Sequence, residues 1–100
     1  MTDFERTFCI AAEHPALPGH FPGQPLVPGV MLLEQVAQAL HAWRGERLLR
    51  VLEAKFMVPL LPGQAASLQL VQARAGDARI QFRIQHDHML LARGTVEGTA

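Results

Sequence analysis

Two residues of this chain have the types and setting that proton transfer requires: His20, in a segment crowded with proline and glycine, and Glu34, in an apolar run. Around His20, Pro15, Pro18, Pro22, Pro25 and Pro28 alternate with Gly19, Gly23 and Gly29. Prolines at this density forbid a helix and impose an extended, kinked path, so the imidazole can be held in one place. Histidine is the side chain best suited to accept a proton near neutral pH. The apolar run around Glu34 reads as a buried helix, where desolvation would favour a protonated carboxyl able to give its proton away. A base and an acid drawn from different environments are how enzymes separate those two roles.

Gly29 is the third element. At a helix start its backbone N–H lacks an intrahelical acceptor and lies at the positive end of the helix dipole. Such a donor suits a thioester carbonyl oxygen that gains negative charge as its α-carbon is deprotonated; losing one costs about 10²–10³ in rate. Each signal alone has a plainer explanation. A histidine in a proline-rich loop is ordinarily a turn residue, a glutamate on an apolar helix can pair with Arg44, and Pro28-Gly29 can serve only as a cap. Their combination is what points to chemistry.

The elements that must position these groups follow from hydrophobic periodicity. Arg6–Ala12 reads as a first strand, with Phe8 and Ile10 on one face. The segment 13–29 is a rigid loop, of a length that in a small domain usually has a function. A helix is expected from Gly29 to Arg44, entered at Pro28, stopped at Gly45 and about 22 Å long. It is apolar nearly all round, from Val30, Met31, Leu32 and Leu33 to Val36, Ala37, Ala39, Leu40 and Trp43, which predicts protein on every side. Glu34, Gln38 and His41, at i, i+4 and i+7, form one polar stripe.

Four strands are expected after the helix: Leu48–Met57, Ala66–Arg74, Arg79–Gln85 and Met89 to about Glu97. The third alternates Arg79, Gln81, Arg83 and Gln85 with Ile80, Phe82 and Ile84, the mark of a half-buried strand. Pro59–Gly63 and Gly76-Asp77 supply turns, and short connections favour an antiparallel meander. One sheet with one helix to cover it gives an α+β fold: a curved antiparallel sheet wrapped around one long central helix. The 100 residues are read as a single domain, 1–100.

Nine basic residues balance nine acidic ones, so no strong basic field exists for binding duplex nucleic acid. No segment approaches a membrane span in length, and the acidic start Met1-Thr2-Asp3-Phe4-Glu5 lacks a signal-peptide core. A single cysteine, Cys9, reads as a small core residue, and the expected compartment is the reducing cytoplasm. His86-Asp87-His88 reads as a polar turn between strands rather than a metal site, and no metal is expected. His41 suits a tunnel wall or the helix end, and Trp43 the core or an interface. Arg44, Arg47 and Arg50 read as a solvated surface, with docking of an acidic carrier protein as the alternative.

His20-Phe21-Pro22-Gly23-x-Pro25-x-x-Pro28-Gly29, with Glu34 fourteen positions after the histidine and Gln38 a turn later, resembles the β-hydroxyacyl-acyl-carrier-protein dehydratases of the hotdog fold. Lys55-Phe56-x-x-Pro59-x-x-Pro62-Gly63 resembles that family's second signature, and the likeness spans roughly residues 13 to 98. It implies that His20 abstracts the α-proton, Glu34 protonates the departing hydroxyl, the Gly29 N–H binds the carbonyl and Gln38 orients the acid or its water. It also implies an acyl tunnel beside the helix, for which Phe21, Val30, Leu33 and Ala37 are candidates. No cofactor is implied beyond the phosphopantetheine of acyl carrier protein that carries the substrate. The family's dimer sets the histidine of one subunit against the acid of the other. A homodimer is therefore expected, or a heterodimer with a second hotdog protein. Met57, Val58 and Gln64 depart from the second signature, where basic residues and aspartate are common. The short form with His14-Pro15 resembles dehydratases of aryl-polyene and pigment clusters. The rivals are a hotdog thioesterase, in which the histidine motif has no evident task, and a non-catalytic partner subunit, which needs neither His20 nor Glu34.

Overall fold

The structure, a computed structural model, describes residues 2–11 and 26–99. Strand β1 (Phe4–Cys9) is followed by helix α1 (Gly29–Arg44) and strands β2 (Arg47–Phe56), β3 (Ala65–Gln72), β4 (Arg79–His86) and β5 (Met89–Thr99). All pairings are antiparallel, in the order β1-β3-β4-β5-β2. The α+β architecture and the helix limits are as the sequence predicts. The first strand starts earlier than expected, because Phe4 pairs with Leu70 and adds to the apolar face.

The meander holds only for β3, β4 and β5. Strand β2 does not neighbour β3 but pairs with β5 at the far edge of the sheet. The Pro59–Gly63 segment is therefore a crossing and not a hairpin. Leu60 is buried, its carbonyl accepts from the Val27 N–H at 2.9 Å, and the Gly63 N–H reaches the Ile10 carbonyl at 2.8 Å. Gly63 adopts φ 87°, which glycine enters without a Cβ clash.

The hairpin between β4 and β5 turns on Asp87 and His88, with φ 48° and 67°. Two successive left-handed residues match the twist of the flanking strands, and Asp is among the residues that tolerate this conformation. His86 Nδ1 donates to the Ala65 carbonyl at 2.6 Å and ties the turn to β3.

Alternation along the strands makes the core. Leu68, Leu70, Ile80, Phe82, Ile84 and Val96 face inward and are fully buried with Val36 and Leu40 of α1. Gly94 sits inward opposite Phe82. A Cβ there would overlap the Glu53 carbonyl and come within 2.6 Å of the Phe82 ring, so the ring occupies the space a side chain would fill.

Cys9 corrects the sequence reading: it is exposed, not core. It lies between Phe8 and Ile10, which are both buried, so the period of two turns it to the other face. The helix is also less enclosed than its composition predicts. Met31, Leu32, Val36, Ala39 and Leu40 are buried, while Val30, Glu34, Gln38 and His41 are exposed. One sheet covers one side of a helix. Among the described residues no helix is long and apolar enough to cross a membrane.

Candidate active site

Helix α1 begins without a side-chain cap. Pro28 occupies the cap position with φ −61° and ψ 146°, and no acidic residue lies in the first turn. The Met31 N–H bonds back to the Pro28 carbonyl at 3.0 Å, closing a tight first turn. Among the described residues the helix N–H groups before Met31 have no recorded backbone partner. At the other end Gly45, at φ 69°, donates to the His41 carbonyl at 2.8 Å, and His41 and Arg44 lie at the negative pole.

Beside the helix start lies a largely apolar cavity of about 310 Å³, lined by Val27, Pro28, Gly29 and Leu32 on one side and Phe56, Met57 and Leu60 on the other. Its walls come from two stretches well separated in the chain. The end of the His20–Gly29 motif forms one, and the Lys55–Gly63 motif forms the other. The Val27–Leu60 backbone bond joins them. Phe56 packs close over Gly29: a Cβ there would lie 3.1 Å from the ring, which would have to give by a few tenths of an ångström. Gln64, where an aspartate is common, accepts the Leu61 N–H through Oε1 at 3.0 Å and closes the turn itself.

Gly29 lines the cavity. His20 and Phe21 lie outside the described residues, as does His14. Glu34 is not desolvated within this chain: it stands exposed on the stripe with Val30 and Gln38, because the sheet packs against the opposite side of α1. Of the residues expected to line a tunnel, Leu33 and Ala37 are half-buried and Val30 is 60 % exposed. Ala37, Gln38 and His41 border a second groove, closed by Glu46, Arg47 and Leu48 at the start of β2.

Sequence reasoning missed Val27, Leu32, Phe56 and Met57 as cavity walls. The second signature was the available signal, but nothing in its spacing says which end of the helix it meets. Trp43 is a half-buried side chain against the core, stacked on Phe4 with 6.1 Å between ring centroids. The Arg44 guanidinium lies 5.0 Å from the Trp43 ring centroid and pairs with Glu46 at 2.9 Å, not with Glu34.

The family model of the ApeI-like dehydratases matches residues 2–95. The chain is 38 % identical over 79 residues to a 3-hydroxyacyl-[acyl-carrier-protein] dehydratase, FabZ, of Haemophilus influenzae, a match covering 67 % of this chain and 53 % of the relative. The chain thus spans about half the length of the curated relatives it matches. Among solved structures, the dehydratase heterocomplex ApeI:P from Xenorhabdus doucetiae superposes with a TM-score of 0.83 at 23 % identity, over 96 % of this chain and 86 % of that one. A 1,4-dihydroxy-2-naphthoyl-CoA thioesterase from Synechocystis, Slr0204, gives 0.67 at 19 % identity, over 96 % and 80 %. Both likenesses establish the hotdog fold, and the second shows that this fold also serves hydrolysis. The fold alone therefore does not choose a reaction; the matched sequence model does choose a family, and the chain belongs to the ApeI-like dehydratases.

Proposed function

We propose that this chain removes water from a β-hydroxyacyl group carried as a thioester on acyl carrier protein, leaving a trans-2-enoyl thioester. One observation carries the reading most directly. The described end of the first signature, Val27–Gly29, meets the second at an apolar cavity beside a helix start that has no side-chain cap. An apolar cavity fits an acyl chain, and the free N–H groups fit an oxygen that becomes negative during reaction.

In this scheme His20 takes a proton from the α-carbon, and the electron pair left behind develops into an enolate steadied by the Gly29 N–H. The enolate expels the β-hydroxyl, which leaves as water on receiving the proton of Glu34. Gln38, one turn beyond Glu34, orients the acid or its water. The scheme consists of two proton transfers and one C–O cleavage with no net change of oxidation state, so it calls for no metal or redox cofactor. The exposed, unpaired thiol of Cys9 suits a reducing compartment such as the cytoplasm.

The exposure of Glu34 bears on assembly. An acid in this role works best away from water, and the described residues cover the opposite side of α1. Val30 on the same stripe and Leu49, Leu52 and Phe56 along β2 are large apolar side chains left in the open. A second copy or a second hotdog protein is the proposed cover, and the Xenorhabdus doucetiae relative is itself a heterocomplex.

Product analysis tests the reading. The protein, alone and with a candidate partner, is given a β-hydroxyacyl thioester on acyl carrier protein. Loss of water with the thioester intact is expected; release of free thiol would mean a thioesterase instead. His20→Ala and Glu34→Gln should each slow dehydration by about 10²–10⁴ while leaving the fold unchanged by circular dichroism. Near-normal rates in either variant refute the role given to that residue.

A further inference from the structure

Phe56 stands where the chain leaves the sheet. It is the last residue of β2 in the ladder, opposite Ala92. The next two N–H groups, of Met57 and Val58, both donate to the Leu91 carbonyl, at 2.8 and 3.2 Å. The backbone of Phe56 is therefore held on both sides. Its side chain shares a face of β2 with Ala54, two positions before, which packs against the core. Yet Phe56 is 49 % exposed, an aromatic ring at a core-facing position that the core does not enclose.

The ring meets the first residue of the helix. From the place a Gly29 Cβ would occupy, Phe56 Cζ is at 3.1 Å and both Cε1 and Cε2 are at 3.3 Å. Near-equal distances to three adjoining ring atoms put that point over the face of the ring. Beyond the ring edge, Cζ would be nearer than its neighbours by a wide margin. The ring therefore lies flat against Gly29. This end of α1 has no side-chain cap, and among the described residues the Gly29 and Val30 N–H groups have no recorded backbone partner. A capping side chain would ordinarily accept from such donors. Aromatic carbon accepts nothing of comparable strength, so the ring closes one flank of the helix start without competing for them. Kept from water, an N–H donor also acts more strongly on a developing negative charge. The approach left to a substrate is the cavity of about 310 Å³ that Phe56 lines together with Pro28, Gly29 and Leu32.

We propose that Phe56 is a positioning residue for dehydration: its ring, flat on Gly29, fixes the direction from which the thioester carbonyl meets the helix-start N–H groups and keeps water from that flank. The inference rests on the dehydratase reading above. Phe56 moves no proton in this role and acts through Gly29. Two plainer roles compete with it, packing within the chain and contact with a subunit laid on β2. Neither predicts an effect confined to the reacting carbonyl.

The test compares wild type with Phe56→Ala, Phe56→Leu, Gly29→Ala and Gly29→Ala/Phe56→Ala on a β-hydroxyacyl thioester of acyl carrier protein. Sedimentation at the assay concentration records the assembly state of each. Phe56→Ala should lower kcat about tenfold to a hundredfold while KM stays within about threefold of wild type. Phe56→Leu, which keeps apolar bulk over Gly29, should recover most of that loss. Gly29→Ala retains the N–H but pushes the ring aside, so it should slow wild type and add nothing once Phe56 is alanine. If Phe56→Ala does not fold, Gly29→Ala against Gly29→Ala/Phe56→Leu makes the same comparison. The bound carbonyl is read directly with a saturated acyl pantetheine thioester, labelled with ¹³C at the carbonyl and unable to lose water. Its infrared stretch should fall on binding to wild type and fall less on binding to Phe56→Ala. An unchanged kcat, a loss in KM alone, additive effects at 29 and 56, or a loss that follows dissociation of the assembly overturns the assignment. A wild type that dehydrates nothing ends the dehydratase reading, and the infrared shift then decides the role of Phe56 by itself.

Discussion

Strands β4 and β2 belong to one sheet, and β2 is the more apolar of the two by composition, yet β4 is the one whose apolar residues are buried. In β4, Ile80, Phe82 and Ile84 are fully buried and the residues between them are polar. In β2, Leu49, Val51, Leu52 and Phe56 remain exposed although they are equally apolar. Two irregularities explain part of the contrast. Between Leu48 and Arg50, and again between Val51 and Glu53, β2 holds one residue more than β5, so Leu49 and Leu52 are bulged out of the ladder. The rest is position, since β4 lies between two strands and β2 is an edge. Residues of β4 are finished by their own chain. Those of β2 are left open by the described residues.

Removing a side chain from each strand should break this comparison if it is wrong. Phe82→Ala empties the middle of the core and should cost about 3–5 kcal/mol in chemical denaturation. A loss below about 1 kcal/mol would mean that β4 is not the closed side of the molecule. Gly94→Ala should cost about 1–3 kcal/mol, because the new methyl must displace the Phe82 ring or the β2 backbone. Restoration by Phe82→Leu in the same chain would show that the ring is what it strikes.

Leu49→Lys/Leu52→Lys should change the folding free energy of the single chain by only about 0.5 kcal/mol, since both side chains already meet water. The same variant should dissociate any dimer in sedimentation experiments, and a dimer that persists undiminished removes β2 from the interface. The smallest effect belongs to the sheet's other edge. Bonds from Gln69 and Ser67 hold the Glu5 carboxyl low, so they stabilise the fold above the ordinary carboxylate range and cease to do so as pH falls through the lowered value. Gln69→Leu/Ser67→Ala should therefore be less stable than wild type at neutral pH and indistinguishable from it in strong acid.

The helix from Gly29 to Arg44 and strand β4 were legible residue by residue, because a proline entrance, a glycine exit and strict alternation are local signals. The β4–β5 turn at His86-Asp87-His88 was legible for the same reason. The place of β2 was not. Its partner β5 lies beyond two intervening strands, and no local pattern records a pairing at that separation. The exposure of Cys9 was available in principle from the burial expected of Phe8 and Ile10, and composition obscured it. The exposure of Glu34 was hidden differently. Apolar residues around α1 predict cover on every side, but they do not say how much of that cover belongs to the same chain. His20 lies outside the described residues, so its half of the proposed acid–base pair rests on the motif.

The bond between the Val27 N–H and the Leu60 carbonyl has a practical consequence for protein engineering. It fastens two stretches more than thirty positions apart into one unit. Transplanting the histidine motif into a foreign scaffold without the Pro59–Gly63 crossing would leave that rivet half made and the pocket with one wall. Chimeras that exchange both stretches together are the ones expected to keep their shape.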